Sequence, residues 1–120
     1  MTHTSKPSRR DLELLKWGRH FRLPEGAKVV VGRTQKENEA INRLVASGDL
    51  VLRVQSYPGP LVLVPGAANL PGMAQAAALA ASYSDAPQGQ EVSVIGRQEG
   101  KIHQLQATSA HKDRFKDWLI

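Results

Sequence analysis

The residues of this 120-residue chain best suited to chemistry are cations placed at turns. Gly32-Arg33-Thr34, with Lys36 just after it, lies where a β-branched run gives way to a helical pattern. A strand feeding a helix N-terminus presents unpaired N–H groups and the positive end of the helix dipole, a setting that suits an anion. Gly32 would let a phosphate approach the backbone closely, and Arg33 and Lys36 would reinforce it. The same residues have a second use: Thr34 and Glu37 carry the S/T-x-x-E spacing by which a helix caps itself. Both uses stay open at the level of sequence. Farther along, Arg53 sits on the polar side of an alternating segment, and Tyr57 shares its parity. A cation beside an aromatic ring suits the stacking of an unpaired base. Arg53 can equally cover sheet surface with its aliphatic stem.

Catalytic constellations are missing from the pattern. With no cysteine, disulfides, thiolate metal sites and cysteine nucleophiles are excluded. His3, His20, His103 and His111 lack metal-ligand spacing, so no metal site is expected. There is no G-x-S-x-G elbow, no Walker A loop and no dinucleotide fingerprint. The expectation is a chain without catalytic residues or cofactor, and therefore not an enzyme. The first twenty residues are polar and basic, which is unlike a signal peptide. Apolar runs fall far short of the roughly 18 residues that span a bilayer. A cytoplasmic protein without membrane contact is expected.

Charge is segregated. The formal net charge is +5 and the sequence pI about 9.9. Residues 1–53 carry 11 Lys/Arg against 6 Asp/Glu, residues 54–96 carry no base and 2 acids, and residues 97–120 carry 5 bases against 3 acids. Basic ends around a base-free middle suit a polyanionic partner such as RNA. A solvated basic surface with no partner gives the same numbers.

The elements that would hold these residues follow from turn chemistry and periodicity. Residues 1–7 read as a disordered tail. Ser8 and Asp11 have capping-box spacing and open a short helix, with Leu12 and Leu15 as docking residues and Gly18 as its end. Phe21 to Leu23 and Lys28 to Val31 flank Pro24-Glu25-Gly26 and read as a hairpin. Ala40, Ile41, Leu44 and Val45 give the next helix its stripe, with Gly48 as its C′ stop. In residues 49–57, Leu50, Leu52 and Val54 share one face, and Val51, Arg53, Gln55 and Tyr57 the other. Pro58-Gly59-Pro60 breaks that strand. Leu61 to Val64 reads as a strand buried on both faces. Residues 73–84 form an alanine-rich helix whose small stripe suits close packing on a sheet. Residues 91–95 read as a strand. Residues 101–108 read as a poorly alternating strand, and Phe115, Trp118 and Leu119 mark a short helix. The order α-β-β-α-β-β-α-β-β-α predicts an α+β fold: a mixed, largely antiparallel sheet with three to four helices packed on it. A single domain over residues 8–120 follows from the length.

Four segments, in order, resemble the NFACT-R domain, the RNA-binding module of NFACT proteins. Val30-Val31-Gly32-Arg33-Thr34 with Glu37-Asn38-Glu39 is similar to the family's V-G-[RK]-N-x-x-x-N-[ED] signature. Gly48-Asp49-Leu50 with Arg53 resembles G-D-[IL]-x-x-[HR]. Tyr57-Pro58-Gly59-Pro60 leading into Leu61–Val64 resembles P-G-[PS]-H-V-[IV]. Residues 76–84 resemble the helix A-A-x-L-A-A-x-Y-S. The likeness covers about residues 18–96. Thr34 stands where Asn is usual, Arg53 where His is frequent, and Leu61 where His often follows the Pro-Gly pair. No Lys-Pro-rich tail follows residue 96. These departures resemble a divergent branch found C-terminal to tRNA thiolation-type enzymes.

The resemblance implies Gly32, Arg33, Asn38, Arg53 and Gly59 as RNA-contact residues, with Asn38 alternatively a brace between helix and strand. Lys36, Arg43 and Tyr57 join them as phosphate or base contacts. The expected role is that of a non-catalytic accessory module that binds RNA, and tRNA in particular. It would act in tRNA modification or ribosome-associated quality control, beside a fused or separate tRNA-modifying enzyme or on the ribosome. The rival reading is a protein–protein interaction domain that docks its partner on the apolar segment 57–83.

Overall fold

The computed structural model describes residues 9–66 and 70–120. Their elements are α1 (Arg9–Leu14), β1 (Arg19–Arg22), β2 (Lys28–Val31), α2 (Gln35–Arg43), β3 (Leu50–Val54), β4 (Val62–Val64), α3 (Leu70–Ser82), β5 (Glu91–Gln98), β6 (Lys101–Thr108) and a 3₁₀ helix (Lys112–Trp118). The six strands form one sheet in the order β1-β2-β4-β3-β5-β6. Every pairing is antiparallel, so the fold is α+β with no parallel pair among the described strands. The residue-1–7 tail and the Ser8 cap lie outside the described residues.

Alternation along the strands divides the apolar residues between two cores. The larger core faces α3. Phe21, Val29, Val31, Leu50, Leu52, Val62, Val64, Val92 and Val94 meet the helix residues Ala76, Ala77, Leu79, Ala80 and Ala81 there. The alanines let the helix backbone come close, and Leu79 is fully buried. Phe115 of the 3₁₀ helix is buried against the same core, with Trp118 packed on it edge to face at 5.0 Å between ring centroids. The smaller core, on the other face, gathers Leu14, Val30, Ile41, Leu61 and Leu63 under α1 and α2. Leu61–Val64 are therefore buried from both sides, as their continuous apolar run implies.

Three local expectations are corrected. In α1, Leu14 is the docking residue, while Leu12 and Leu15 remain 52% and 66% exposed. The helix is only six residues long, so a single face can be buried. Helix α2 stops at Arg43, well before Gly48: the Leu44 and Val45 N–H groups turn back to Ile41 and Asn42 carbonyls. What holds the chain after this exit is Asp49, whose buried carboxylate accepts from the N–H groups of Ala46 and Gly66 and pairs with Arg10. Strand β5 runs on to Gln98, three residues longer than read from sequence, whereas β6 (Lys101–Thr108) has the bounds read for it. They are joined by Glu99-Gly100 with both φ angles positive (49° and 79°), as tight two-residue hairpins require.

Candidate functional site

The start of α2 is closed by its own side chains. Thr34 is the N-cap, extended at φ −136°, and its hydroxyl accepts from the Glu37 N–H at 3.1 Å. The Glu37 carboxylate reaches back past the cap. It accepts from the Arg33 N–H at 2.8 Å and from the Arg33 guanidinium at 3.2 and 2.9 Å. The Arg33 guanidinium bond is the main reason the Glu37 carboxyl is held down at about 2. Burial opposes it, and the N–H groups of Arg33 and Gly18 assist. The negative charge that suits this helix end is thus supplied from within, and Arg33 enters the site already paired.

Gly32 and Asn38 form a brace. The buried Asn38 Oδ1 accepts from the Leu61 N–H at 3.1 Å, and the Gly32 N–H donates to the Leu61 carbonyl at 3.0 Å. A Cβ on Gly32 would collide with the Asn38 carboxamide. The side-chain side of Gly32 is therefore filled, and packing requires a glycine there. Gly59 is a second tight contact: its Cβ would lie 2.8 Å from Ser84 Cβ. The Asp85 N–H also donates to the Pro58 carbonyl at 2.8 Å. The β3–β4 loop is thereby fastened both to the start of α2 and to the end of α3.

Between these fastenings lies a cleft of about 430 Å³ at one end of the sheet. Gly32, Arg33, Asn38 and Gly59 are brought together in its lining. Three further groups complete it, none singled out by sequence reasoning: Arg19 from β1, Tyr83 after α3, and Lys112 at the start of the 3₁₀ helix. The Lys112 ammonium stands 5.2 Å from the centre of the Tyr83 ring, a cation–π distance. Phe21 packs edge-on to the same ring at 5.8 Å. Burial raises the Tyr83 phenol above its ordinary value, against the pull of the nearby Arg19 charge. Arg19 and Lys112 form no ion pair with any described residue. Asp85 is the one acid among the described residues of the lining. Of these groups, only Tyr83 had a local signal, since it lies inside the Ala-rich helix signature; Arg19 and Lys112 become neighbours through tertiary packing alone.

The remaining predicted residues lie elsewhere. Lys36 and Arg43 are exposed on α2, outside the cleft. Arg53 projects from the sheet face that carries α1 and α2, into a separate concavity. Tyr57 follows the end of β3 and packs against the larger core, on the other side. Its expected pairing with Arg53 is absent because the strand ends at Val54 and parity is lost in the loop. The apolar part of segment 57–83 is mostly consumed: Leu61–Val64, Ala76, Ala77, Leu79, Ala80 and Ala81 are buried. That removes most of the surface on which the protein-docking reading rested. No group of described residues has the makings of a metal centre, and no helix among them is long and apolar enough to cross a membrane.

An antiparallel α+β domain with a cation-lined cleft at one sheet end has the form of a module that holds an anionic partner. The chain matches the family described as NFACT protein RNA binding domain over residues 18–119, and it belongs to that family. The match extends past residue 96, where the resemblance in the four segments ended, and takes in β5, β6 and the 3₁₀ helix. A search of curated proteins gave no match. Among solved structures, the fold is similar to the C-terminal of the fibronectin/fibrinogen-binding protein from Streptococcus suis. The TM-score is 0.75 at 18% identity, covering 87% of this chain and 49% of that one. The chain thus spans about half of that structure.

Proposed function

We propose that this RNA-binding domain is a non-catalytic tRNA-binding module, and that the cleft between Arg19, Arg33, Lys112 and Tyr83 is where it grips a backbone phosphate. Membership of the RNA-binding family supplies the ligand class. The observation that carries the site is the convergence of three cations from three separate elements around one half-buried ring. Contacts of this kind fix position without reading sequence. The module would supply grip to a tRNA-modifying enzyme, fused or separate, or within ribosome-associated quality control.

The test is an anisotropy titration of the chain with bulk tRNA and with duplex DNA at two salt concentrations. Preferential, salt-sensitive tRNA binding is expected, weakened roughly tenfold in Arg19→Gln/Lys112→Gln as two phosphate contacts are lost. Absence of binding at low salt would sink the RNA reading for this chain. Unchanged affinity in the double variant would sink the cleft assignment.

A further inference from the structure

The sheet face beyond α2 carries a second cationic surface. Strand register places Val51 opposite Arg97 and Arg53 opposite Ile95. On the far side of β5, Ser93, Ile95 and Arg97 face Gln106, Gln104 and Ile102. All of these residues share one face. It is the face on which α1 and α2 cover Val30 and Leu63, but the cover ends at Val51, which is only partly buried. Ile102 is 67% exposed, and Arg53, Arg97, Gln104 and Gln106 are exposed as well. A concavity of about 490 Å³ lies here, between Asn42 of α2 and Arg53, Gln55, Ile95 and Arg97 of the sheet.

Its charge is one-sided. Neither arginine forms an ion pair with a described residue. The acids nearest in register sit at the ends: Glu91 opposite Thr108, and Glu99 in the hairpin turn, bonded to the Ser47 hydroxyl. The two arginines are diagonal neighbours across β3 and β5, about 7–8 Å apart by sheet geometry. Their guanidinium forks match phosphate oxygens in pairs. The residues between them are neutral amides, a serine and isoleucines. A carboxamide both donates and accepts, as a ribose 2′-hydroxyl does. No aromatic ring lines this concavity among the described residues, so it offers unstacked bases no platform. Double-helical RNA displays its 2′-hydroxyls and phosphates across a wide, shallow minor groove, which an open sheet can meet without deep insertion.

We propose that this face is a second RNA-contact surface, in which Arg53 and Arg97 hold phosphates of a double-helical stem while Gln55, Gln104 and Asn42 meet its 2′-hydroxyls. The proposal rests on the RNA-binding reading and adds a site distinct from the cleft. The experiment is an anisotropy titration of the full chain with an RNA hairpin stem, a DNA hairpin of the same sequence and an unpaired RNA strand, from 50 to about 200 mM salt. Arg53→Gln/Arg97→Gln is compared with the cleft variant Arg19→Gln/Lys112→Gln. In the sheet-face variant, stem affinity falls roughly tenfold and the salt slope shrinks by about 1.8, or 0.9 for each lost phosphate contact. Gln104→Ala narrows the preference for RNA over DNA, and Arg53→Lys/Arg97→Lys restores part of the loss. If the sheet-face variant binds the stem like the parent while the cleft variant is weakened, this proposal falls and the cleft reading stands. Loss confined to the unpaired strand overturns the stem assignment. If the parent chain binds no RNA, the underlying reading itself fails.

Discussion

Asn38 separates a brace from a ligand contact, and the two roles predict opposite results. The resemblance places Asn38 among RNA contacts, whereas the structure buries its carboxamide between α2 and the start of β4. Truncation in Asn38→Ala strips the buried Leu61 N–H of its acceptor. An unsatisfied buried donor costs about 1–3 kcal/mol, and the emptied volume adds to it, for a total of about 2–4 kcal/mol. For a domain of this size that corresponds to a fall in Tm of roughly 8–16 °C. Gly32→Ala destabilises through the same spot, because the new methyl meets the carboxamide, at a cost of about 1–3 kcal/mol.

The two changes share one volume, so they cannot be additive: once the carboxamide is gone, the methyl has room. The assay is a double-mutant cycle by thermal and urea denaturation, with the coupling expected at about 1 kcal/mol or more. RNA affinity measured well below each Tm should change little. An unaltered Tm in Asn38→Ala, combined with a loss of RNA binding, would refute the brace. So would full additivity of the two substitutions.

Two further outcomes follow from the start of α2. Glu37 is held at about 2, below its ordinary value of 4.5, so its contribution to stability is complete above pH 4.5 and drains away as pH falls toward 2. Urea midpoints against pH should show that acid limb in the parent and a flatter one in Glu37→Gln; parallel curves would contradict the pairing. Since Glu37 already engages Arg33, replacing Arg33 alone by Gln should lower RNA affinity less than Arg19→Gln/Lys112→Gln while lowering stability more. The reverse order, read from anisotropy and melting together, would mean that ligand displaces Glu37 from Arg33.

What the sequence disclosed was local. The Pro24-Glu25-Gly26 hairpin, the Thr34 cap and the alanine helix each depend on a few adjacent residues and each is present, although the helix spans Leu70–Ser82 rather than 73–84 and β3 ends at Val54, before the Pro58-Gly59-Pro60 break. The end of α2 was hidden because Gly48 mimics a helix stop, while the true exit is held by Asp49 through groups far along the chain, Arg10 and Gly66. Strand β6 was poorly legible for a specific reason. Ile102 points to solvent while His103 faces α3, so apolar and polar residues sit on the wrong sides for a clean alternation. The insertion of β4 between β2 and β3 has no local signature at all. The cleft shares that difficulty, since Arg19, Tyr83 and Lys112 are separated by most of the chain.

The four recognisable segments and the cationic groups therefore answer different questions. Gly32 and Asn38 lock onto Leu61, Gly59 packs on Ser84, and Asp49 ties down Gly66. In each case one recognisable segment is fastened to another or to the turn beside it. A chain bearing these residues is constrained to build this sheet end, whatever it binds. In the proposed reading, the strength of RNA binding is set by residues with no such bracing role, namely Arg19 and Lys112 at the cleft and Arg53 and Arg97 on the sheet. Substituting the braces should change whether the domain stands, and substituting the free arginines and lysine should change what it holds.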